Sequence, residues 1–403
     1  MSESNNPQIG RRDFISASAA ATVIGAACDL KTMDNLYRVA VIGHTGRGNY
    51  GHGLDKVWSD VPNTQLVGVA DADETGLKQA IGRLGNVKGF SDYRKMLIEA
   101  KPELVTIGPR WLDQHCEMVV AAAENGVRGI YLEKPMCRDL KEADEMVAAC
   151  ETYGTKLAIA TQARYSPQVR IIGEMIRTGK LGRIVEIRAR GKDDRRGGGE
   201  DLWVLGTHVL DLMRHFGGDA TTCYAMVMQD GKPVTAGDVK DGNEGIGPLA
   251  GDEVHATYRL ASGATGFFDS VKNAQGKPSR FGIRVCGTKG VVELYDTGSL
   301  PTTRYLPASS WSTGRSNQQW LPISSAGIGK PESLKNGGLH EGNVLAVKDL
   351  IAAIETDRQP IANIQEARKT VEMIAGVFES HRQSAPVAFP LENRQNPLTL
   401  LPR

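Results

Sequence analysis

The sequence predicts an α/β protein of two domains, the first of them built on a doubly wound parallel sheet. From residue 37 to residue 162, short apolar runs alternate with amphipathic stretches, the pattern of strands alternating with helices. From residue 183 onward, β-branched and aromatic runs follow one another across short turns. A chain of 403 residues is also longer than one small core requires, so two domains are expected.

The composition is that of an ordinary globular protein, with 40% hydrophobic and 24% charged residues. Its 48 basic and 47 acidic side chains give a formal net charge of +1, so nothing indicates a nucleic-acid partner. No apolar run reaches the roughly 20 residues that span a bilayer. The six cysteines lack Cys-x-x-Cys spacing and the eight histidines lack His-x-x-x-His spacing, so no metal site or disulfide framework is expected.

Residues 1–35 have the layout of an export signal. Arg11 and Arg12 precede a short alanine-rich apolar stretch, and the pair resembles the motif of a twin-arginine leader. The alternative is a frayed helix in which the two arginines stand by chance. Cys28 is a candidate for lipidation, but Gly25 stands where an aliphatic residue is usual, which argues against a lipid anchor. We expect export to the periplasm as a folded protein.

Residues 36–161 are predicted to form a dinucleotide-binding domain. The strand 37–42 runs directly into a loop that contains Gly43, Gly46 and Gly48. Glycines allow a close approach of the backbone, and a helix that follows such a loop offers free N–H groups to a pyrophosphate. The spacing does not match Gly-x-Gly-x-x-Gly and the loop is unusually long, so a plain surface loop is the alternative.

The second predicted strand ends at Asp71, where a dinucleotide-binding domain carries an acid that accepts hydrogen bonds from the adenosine ribose. A carboxylate there repels a 2′-phosphate, so NAD is favoured over NADP as the cofactor. Asp71 stands further from Gly43 than the usual ~20 residues, a difference that the long glycine loop accounts for. A helix N-cap is the alternative role for Asp71, and the two roles are compatible.

The ligand of a doubly wound sheet lies beyond the carboxyl ends of its strands. Five residues stand at such predicted strand ends: Gly43, Asp71, Gly108, Glu133 and Gln162. We expect them to line one edge of the sheet, with Glu133 and Lys134 at the cofactor crevice.

Several motifs, in their order along the chain, resemble those of the Gfo/Idh/MocA oxidoreductase family. They are Glu133-Lys134-Pro135 after an apolar strand, TQARYSP at 161–167, and the histidine-bearing segment GGGEDLWVLGTHVLDLMRHFGG at 197–218. The stretches KGFSDYRKML and PRWLDQHCEMVVAAAENG also resemble the family's sequence pattern. The likeness covers nearly everything after the leader.

The resemblance implies a Rossmann domain followed, over residues 162–403, by an α/β domain with a large, open, mostly antiparallel sheet. Runs such as RIVEIRARG, DEVHATYRL and GVVELYD fit the strands of that sheet. An open sheet face suggests a homodimer or homotetramer. The family's chemistry further implies a bound nicotinamide cofactor and a small carbohydrate substrate, meaning a sugar, a sugar derivative or a polyol.

The resemblance places Lys134 beside the substrate hydroxyl and the nicotinamide. Oxidation of a secondary alcohol needs a group that takes the O–H proton as hydride leaves the carbon. A cationic lysine stabilises the developing alkoxide, whereas a neutral lysine acts as a base, and burial would lower the lysine pKa toward the second use. The alternative is a surface salt bridge with Glu133, although neighbouring residues on a strand point to opposite faces.

His208 and Tyr165 are the other predicted catalytic residues. His208 shares a helix face with Asp211 at i and i+3 and supplies a proton acceptor that titrates near neutrality. Its alternative role is that of a satisfied core histidine. The Tyr165 phenol could bind substrate or transfer a proton, or else pack at the domain junction. Gln162 and Arg164 are candidates for contacts with nicotinamide or sugar.

One position departs from the family pattern. The family's dehydrogenases usually carry an aspartate four residues before this histidine, and here that residue is Val204. An apolar side chain cannot accept a hydrogen bond from a sugar hydroxyl, so Glu200 or Asp201 would have to take its place. The preceding segment Asp193–Arg196 is interpreted as a mobile loop over the site, or as a plain solvated loop.

Export sets a further condition, because little free NAD exists outside the cytoplasm and a bound cofactor must be regenerated without release. The first hypothesis is an NAD-dependent oxidoreductase acting on a sugar or polyol, with Lys134 and His208 handling the proton. The second is an NAD-dependent glycoside-cleaving enzyme that oxidises the sugar transiently, with Tyr165 or His208 removing the C2 proton. The third is a non-catalytic sugar-binding protein, which Val204 favours.

Overall fold

The computed structural model describes residues 36–309 and 313–402. The predicted twin-arginine leader and Cys28 lie outside these described residues. Within this part of the chain, none of the helices combines the length and apolar character that crossing a bilayer requires.

The first sheet is parallel throughout. Its strands are β1 Tyr37–Ile42, β2 Thr64–Ala70, β3 Gly89–Phe90, β4 Leu104–Ile107, β5 Gly129–Leu132 and β6 Lys156–Ile159. They lie in the order β3-β2-β1-β4-β5-β6, the order of a doubly wound dinucleotide-binding fold. Every residue of β4 and β5 is buried, because helices cover both faces of the sheet. The predicted fold of the N-terminal domain is confirmed.

Four helices connect these strands, in the predicted alternation of strands and helices. They are α1 Glu74–Arg83, α2 Tyr93–Ala100, α3 His115–Glu124 and α4 Leu140–Tyr153. Helices α1, α2 and α4 begin at aspartates whose side chains accept a hydrogen bond from a first-turn N–H, namely Asp73, Asp92 and Asp139. These N-caps explain why the helices start where they do.

The rest of the described chain adds five helices and thirteen strands. The helices are α5 Pro167–Arg177, α6 Gly199–Val204, α7 Gly206–Gly217, α8 Leu339–Glu355 and α9 Ile364–Gln383. The strands are β7 Ile184–Arg190, β8 Ala220–Gln229, β9 Lys232–Pro233, β10 Lys240–Gly242, β11 Gly247–Leu249, β12 Glu253–Leu260, β13 Thr265–Val271, β14 Gly282–Gly287, β15 Val291–Tyr295, β16 Thr302–Leu306, β17 Leu321–Ser324, β18 Gly327–Ile328 and β19 Val387–Ala388.

Eleven of these strands form one large sheet in the order β18-β17-β16-β15-β14-β7-β13-β12-β8-β19, with β9 paired to β8. All its pairs are antiparallel except β7 with β13, which confirms the predicted mostly antiparallel sheet. Helices α7 and α9 pack on one face. On the other face Tyr224 and Met226 of β8 are exposed, and they alternate with the buried Cys223, Ala225 and Val227.

The glycine loop after β1 is not followed by an α-helix, contrary to the expectation from sequence. Turns occupy most of the loop, and only a short 3₁₀ helix, Val57–Asp60, precedes β2. Helix α8, which lies much later in the chain, packs where that helix was expected. Its Val344 and Leu350 belong to the same core cluster as Val39 and Val41. A helix of the C-terminal half therefore completes the cover of the parallel sheet.

Candidate active site

A cavity of about 600 Å³ opens at the carboxyl end of β5, with walls from both halves of the chain. Lys134 and Gln162 reach it from the N-terminal domain, and Val204 and His208 reach it from α6 and α7. One cavity is therefore lined by three of the site residues predicted from the sequence: Lys134, Gln162 and His208. No cluster of His, Cys, Asp or Glu side chains suited to a metal ion occurs within the described residues.

Glu133 lies behind the cavity wall as a fully buried anchor. Its Oε2 accepts 3.0 Å hydrogen bonds from the N–H and from Nδ1 of His52, and its Oε1 accepts one from the N–H of Lys134. Burial alone would raise the pKa of Glu133, but the hydrogen bonds from His52 and the charges of His52 and Lys134 outweigh it and lower the pKa. A Cβ at Gly51 would lie 2.2 Å from Oε2, so the loop needs glycine there.

The Lys134 side chain is buried, and its ammonium donates a 3.0 Å hydrogen bond to the carbonyl oxygen of Val204. That carbonyl is available because α6 ends at Val204 and α7 begins at Gly206. The N–H of His208, which a continuous helix would direct to Val204, instead donates to Leu205. The break between the helices thus creates the acceptor that holds the lysine.

Burial lowers the pKa of Lys134 below its ordinary value. The charges of Glu133 and Glu244 act in the opposite direction, and those of Arg196 and Arg110 reinforce the decrease. A lysine with a lowered pKa releases its proton more readily near neutral pH, which suits a base.

His208 is buried beside Lys134 as an uncharged ring. Burial, reinforced by the charges of Lys134 and His52, keeps the pKa of His208 well below 6.5. Its Nδ1 has no hydrogen-bond partner within the described part of the chain. A buried polar nitrogen without a partner is the kind of group that a bound ligand satisfies.

Gln162 is held in the cavity wall by a helix that lies far away in sequence. Its Nε2 donates a 2.7 Å hydrogen bond to Oδ1 of Asn343, which also accepts one of 2.7 Å from the Tyr131 hydroxyl. Asn343 is itself fully buried and donates from Nδ2 to the carbonyl oxygen of His52. One amide on α8 therefore ties β5, Gln162 and the His52 loop together.

The glycine loop lies at the same edge of the parallel sheet. Gly46 and Gly48 have φ values of 84° and 87°, in the left-handed region that favours glycine. Nothing lies within 4 Å of a Cβ built at Gly46, whereas one at Gly48 would meet the backbone of Arg110. Gly43 fills its strand-end position, with its N–H bonded to Ala70 of β2.

Asp71 lies at the end of β2, as predicted, and is buried. Its carboxylate accepts hydrogen bonds from the N–H and hydroxyl of Thr45 and from the Tyr50 hydroxyl, at 3.0, 2.7 and 2.9 Å. It also accepts from the N–H of Asp73, which is the actual N-cap of α1. Asp71 therefore organises the glycine loop, and its contact with a ribose stays a prediction.

These features fit a dinucleotide. The loop offers an open glycine at Gly46, Asp71 holds that loop at the strand ends, and the unpartnered Nδ1 of His208 marks a ligand position in the adjoining cavity.

The structure does not bring Tyr165 to the cavity. It is half-buried at the domain junction, where its hydroxyl accepts a hydrogen bond from the N–H of Ala362 and burial raises the pKa of its phenol. Arg164 forms a buried 2.8 Å ion pair with Asp211 and is likewise absent from the cavity wall. Sharing a helix with His208 therefore does not bring Asp211 to the site.

Neither acid suggested as a substitute for the missing aspartate lines the cavity. Asp201 is buried and accepts hydrogen bonds from the Ser270 hydroxyl and the N–H of Asp193. Glu200 accepts one from Asn243. Asp193 is itself fully buried, so the predicted mobile loop is anchored at its start, although Arg196 at its end does reach the cavity.

Sequence reasoning missed several residues of this site. Among them, His52, Arg110 and Glu244 line the cavity, and Asn343 supports it from behind. Asn343 did carry a signal, since it is a polar residue on the apolar stripe of α8, four residues before the buried Val347.

Two family models match this chain. One describes an oxidoreductase family with an NAD-binding Rossmann fold and matches residues 37–161. The other describes the C-terminal α/β domain of the same family and matches residues 173–389.

Curated relatives include sugar dehydrogenases. The chain is 27% identical over 249 residues to a levoglucosan dehydrogenase of Pseudarthrobacter phenanthrenivorans, covering 56% of this chain and 63% of that protein. It is 28% identical over 235 residues to a D-apiose dehydrogenase of Paraburkholderia graminis, covering 56% and 60%. It is 26% identical over 179 residues to a glycosyl hydrolase family 109 protein of Akkermansia muciniphila, covering 40% and 36%. The matches thus span less than two thirds of these relatives.

Solved structures share the fold over most of the chain. A levoglucosan dehydrogenase in complex with NADH and levoglucosan superimposes with a TM-score of 0.70 at 21% identity, covering 88% of this chain and all of that one. An oxidoreductase domain protein from Kribbella flavida gives 0.71 at 21% identity, covering 89% and 100%. With both domain models matched in order, the chain belongs to the Gfo/Idh/MocA oxidoreductase family, with that family's NAD-binding Rossmann domain followed by its C-terminal α/β domain.

Proposed function

We propose that this protein is an NAD-dependent oxidoreductase that acts on a sugar, a sugar derivative or a polyol. The observation that carries the proposal is the buried Lys134 ammonium, held by the Val204 carbonyl in a cavity of about 600 Å³ next to an uncharged His208. The cavity lies within the size range of small-molecule pockets. Its position at the carboxyl end of β5 is where the ligands of doubly wound sheets bind.

Lys134 handles the proton of the substrate hydroxyl. In its neutral form it accepts that proton, and in its charged form it stabilises the negative oxygen. His208 stays uncharged near neutral pH, so it binds a hydroxyl without adding a competing positive charge beside Lys134. Gln162, fixed by Asn343, offers a further polar contact in the same wall.

NAD, once bound, supplies the oxidising group that takes the hydride from the alcohol carbon. The glycine loop with Gly43, Gly46 and Gly48 would hold its phosphates, and Asp71 would favour the free ribose of NAD over the 2′-phosphate of NADP. Lys134 would lie at the nicotinamide end, with Glu133 behind it as the anchor of the His52 loop.

The second candidate is redox-neutral cleavage of a glycosidic bond. The similarity to the glycosyl hydrolase family 109 protein favours it. Of the two bases that this chemistry was predicted to use, Tyr165 lies outside the cavity, which leaves His208 to remove the C2 proton. A non-catalytic sugar-binding protein is the third candidate, because Val204 offers no side-chain acceptor to a sugar.

One set of measurements separates the three candidates. Purified protein is denatured and its supernatant analysed by mass spectrometry for released dinucleotide, then the native protein is incubated with panels of free sugars and of nitrophenyl glycosides. Oxidation of a free sugar, lost in Lys134→Met, supports the oxidoreductase. Nitrophenol release with no sugar oxidation supports the glycosidase. Sugar binding without turnover in either panel, by protein that carries dinucleotide, would leave the binding protein.

Export and assembly complete the proposal. Arg11 and Arg12 support a twin-arginine route to the periplasm with the cofactor already bound. Replacing both with lysine should retain the protein in the cytoplasm, as cell fractionation would show.

The exposed Tyr224 and Met226 on the open sheet face support a homodimer or homotetramer. Light scattering after size-exclusion chromatography measures that state directly.

A further inference from the structure

The loop between β10 and β11 carries Glu244 from the C-terminal domain to the cavity that holds Lys134. Strands β10 and β11 form a two-stranded sheet of their own, separate from the large one. The adjoining Gly245 packs against the loop after β4, where a Cβ would lie 2.8 Å from Oδ1 of Asp113. The tip of the hairpin therefore lies directly against the N-terminal domain.

The backbone of Glu244 is held in an unfavourable conformation. Its φ and ψ are 55° and 28°, in the left-handed region that a residue with a Cβ rarely adopts. The residues before it are held in place: Asn243 donates a 2.8 Å hydrogen bond to Glu200, and Gly242 pairs with Gly247 across the hairpin. Strain of this kind persists where the surrounding structure fixes it, and it concentrates at functional sites.

The carboxylate of Glu244 is accessible to a ligand. About a quarter of the side chain, 27%, is exposed, and the nearest cation in the described part of the chain is Nε of Arg110, at 3.7 Å. That separation is longer than a hydrogen bond. Within the described residues no hydrogen bond reaches the Glu244 oxygens, which remain free to accept one.

Glu244 differs in this respect from the other carboxylates near the site. Glu133 is fully buried and its oxygens are occupied by His52 and by the N–H of Lys134. Asp296 also lines the cavity, but its Oδ1 accepts a hydrogen bond from the neighbouring N–H of Thr297, and its charge is not among the main influences on the pKa of Lys134. Among the main electrostatic influences on the pKa of Lys134, the two carboxylates are Glu133 and Glu244.

We propose that Glu244 is a substrate-contacting carboxylate, which accepts a hydrogen bond from a hydroxyl of the sugar or polyol in the Lys134 cavity. It supplies, from the hairpin, the side-chain acceptor that Val204 does not offer from α6. This inference rests on the proposed function for its substrate class. The proton taken from the reacting hydroxyl still goes to Lys134, and Glu244 neither gains nor loses a proton in the step.

The binding test is made without turnover. Lys134→Met, Lys134→Met/Glu244→Gln and Lys134→Met/Asp241→Asn are titrated calorimetrically with the sugar that the wild-type protein oxidises or, if none is oxidised, with the one that raises its melting temperature most. We expect Glu244→Gln to raise Kd at least tenfold and Asp241→Asn, an exposed acid of the same hairpin, to leave Kd within twofold. A Kd within twofold for the Glu244 variant overturns the inference, whether or not the protein oxidises sugars.

A second readout separates contact with substrate from a structural role through Arg110. If Glu244 serves only to pair with Arg110, then Arg110→Gln and Glu244→Gln should lower the melting temperature equally and leave Kd unchanged. A contact with substrate instead predicts an unchanged melting temperature and an unchanged dinucleotide content for Glu244→Gln.

In the active protein, the same variant should move the rising limb of kcat against pH to lower pH. Removing the Glu244 charge leaves Lys134 with Glu133, Arg110, Arg196 and the neighbouring His208, and so with one carboxylate fewer to hold its proton. A limb that moves in Val204→Asp but stays in place in Glu244→Gln would show that the Glu244 charge does not act on Lys134, which contradicts the inference.

Discussion

The ammonium of Lys134 lies 3.0 Å from the carbonyl oxygen of Val204, at the residue where α6 ends. The family position that usually carries an aspartate therefore still supplies an acceptor to the lysine, but from the main chain. A carbonyl bears no net charge, so it orients the ammonium without holding its proton as a carboxylate would. The negative charge that favours the protonated form of Lys134 comes instead from Glu133 and Glu244.

Val204→Asp tests this relationship. A carboxylate beside Lys134 should raise the lysine pKa, so that the rising limb of kcat against pH moves up by about one pH unit or more. The variant leaves unchanged the groups that already act on the lysine pKa, Glu133, Glu244, Arg110 and Arg196, and the neighbouring His208. Val204→Asn, of the same size and polarity but uncharged, is the control. Equal profiles for the two variants would show that Lys134 does not set the limb.

His208 predicts how stability depends on pH. Because its folded pKa lies well below 6.5, the unfolded chain takes up a proton below pH 6.5 that the folded chain cannot. The stability is complete above pH 6.5 and falls on acidification by up to about 1.4 kcal/mol for each pH unit. His208→Gln should flatten this slope in urea unfolding between pH 7.5 and 5.5.

His255 acts in the opposite sense and needs its own control. Burial would lower its pKa, but hydrogen bonds to Asp269 and Glu253 outweigh burial and raise it. Its contribution is complete below pH 6.5 and is lost as pH rises through the folded pKa. The slope should therefore be steeper in His255→Gln than in the wild type, and a slope that His208→Gln leaves unaltered would contradict the prediction for His208.

The buried pair Arg164–Asp211 predicts a large and separable effect on stability. Their side chains are 7% and 6% exposed, and Asp211 Oδ2 has no partner among the described residues. Arg164→Met leaves a buried carboxylate without its cation, and should reduce the free energy of unfolding by about 3 to 5 kcal/mol. Arg164→Met/Asp211→Leu should recover at least half of that loss, since the uncompensated charge is gone.

Urea unfolding monitored by tryptophan fluorescence measures the effect. Arg94→Met, which removes an exposed ion pair with Glu117, is the matched comparison and should change stability little. A loss in the double variant equal to that of Arg164→Met would show that packing by the arginine, rather than pairing of the charges, stabilises the junction.

The elements of the parallel sheet could be predicted because their signals are local. Apolar runs predict β4 and β5, aspartate N-caps mark the starts of α1 and α4, and Lys134 follows β5 at the strand end where the cavity opens. The helix that packs on β1 could not be predicted from local signals, because it is α8, which lies about 300 residues later in the chain. The role of Glu244 was equally hidden, since its loop has no periodicity that would direct it to β5.

The contacts of Asn343 with Tyr131 and Gln162 also join residues far apart in sequence, so they could not be predicted from local signals. Removing Asn343 should lower both stability and activity. Asn343→Leu leaves the Tyr131 hydroxyl and the Gln162 amide buried without their acceptor, at roughly 1 to 3 kcal/mol for each unpaired group. It also frees Gln162 and the His52 loop, which line the cavity, so kcat/KM should fall about tenfold or more.

Tyr131→Phe is the control, because it removes one hydrogen bond but leaves Gln162 and His52 held. Its stability should fall by about 1 kcal/mol while kcat/KM stays near that of the wild type. If Tyr131→Phe lowered kcat/KM as far as Asn343→Leu does, the loss would follow from general loosening of β5, and Asn343 would have no specific part in positioning the cavity wall.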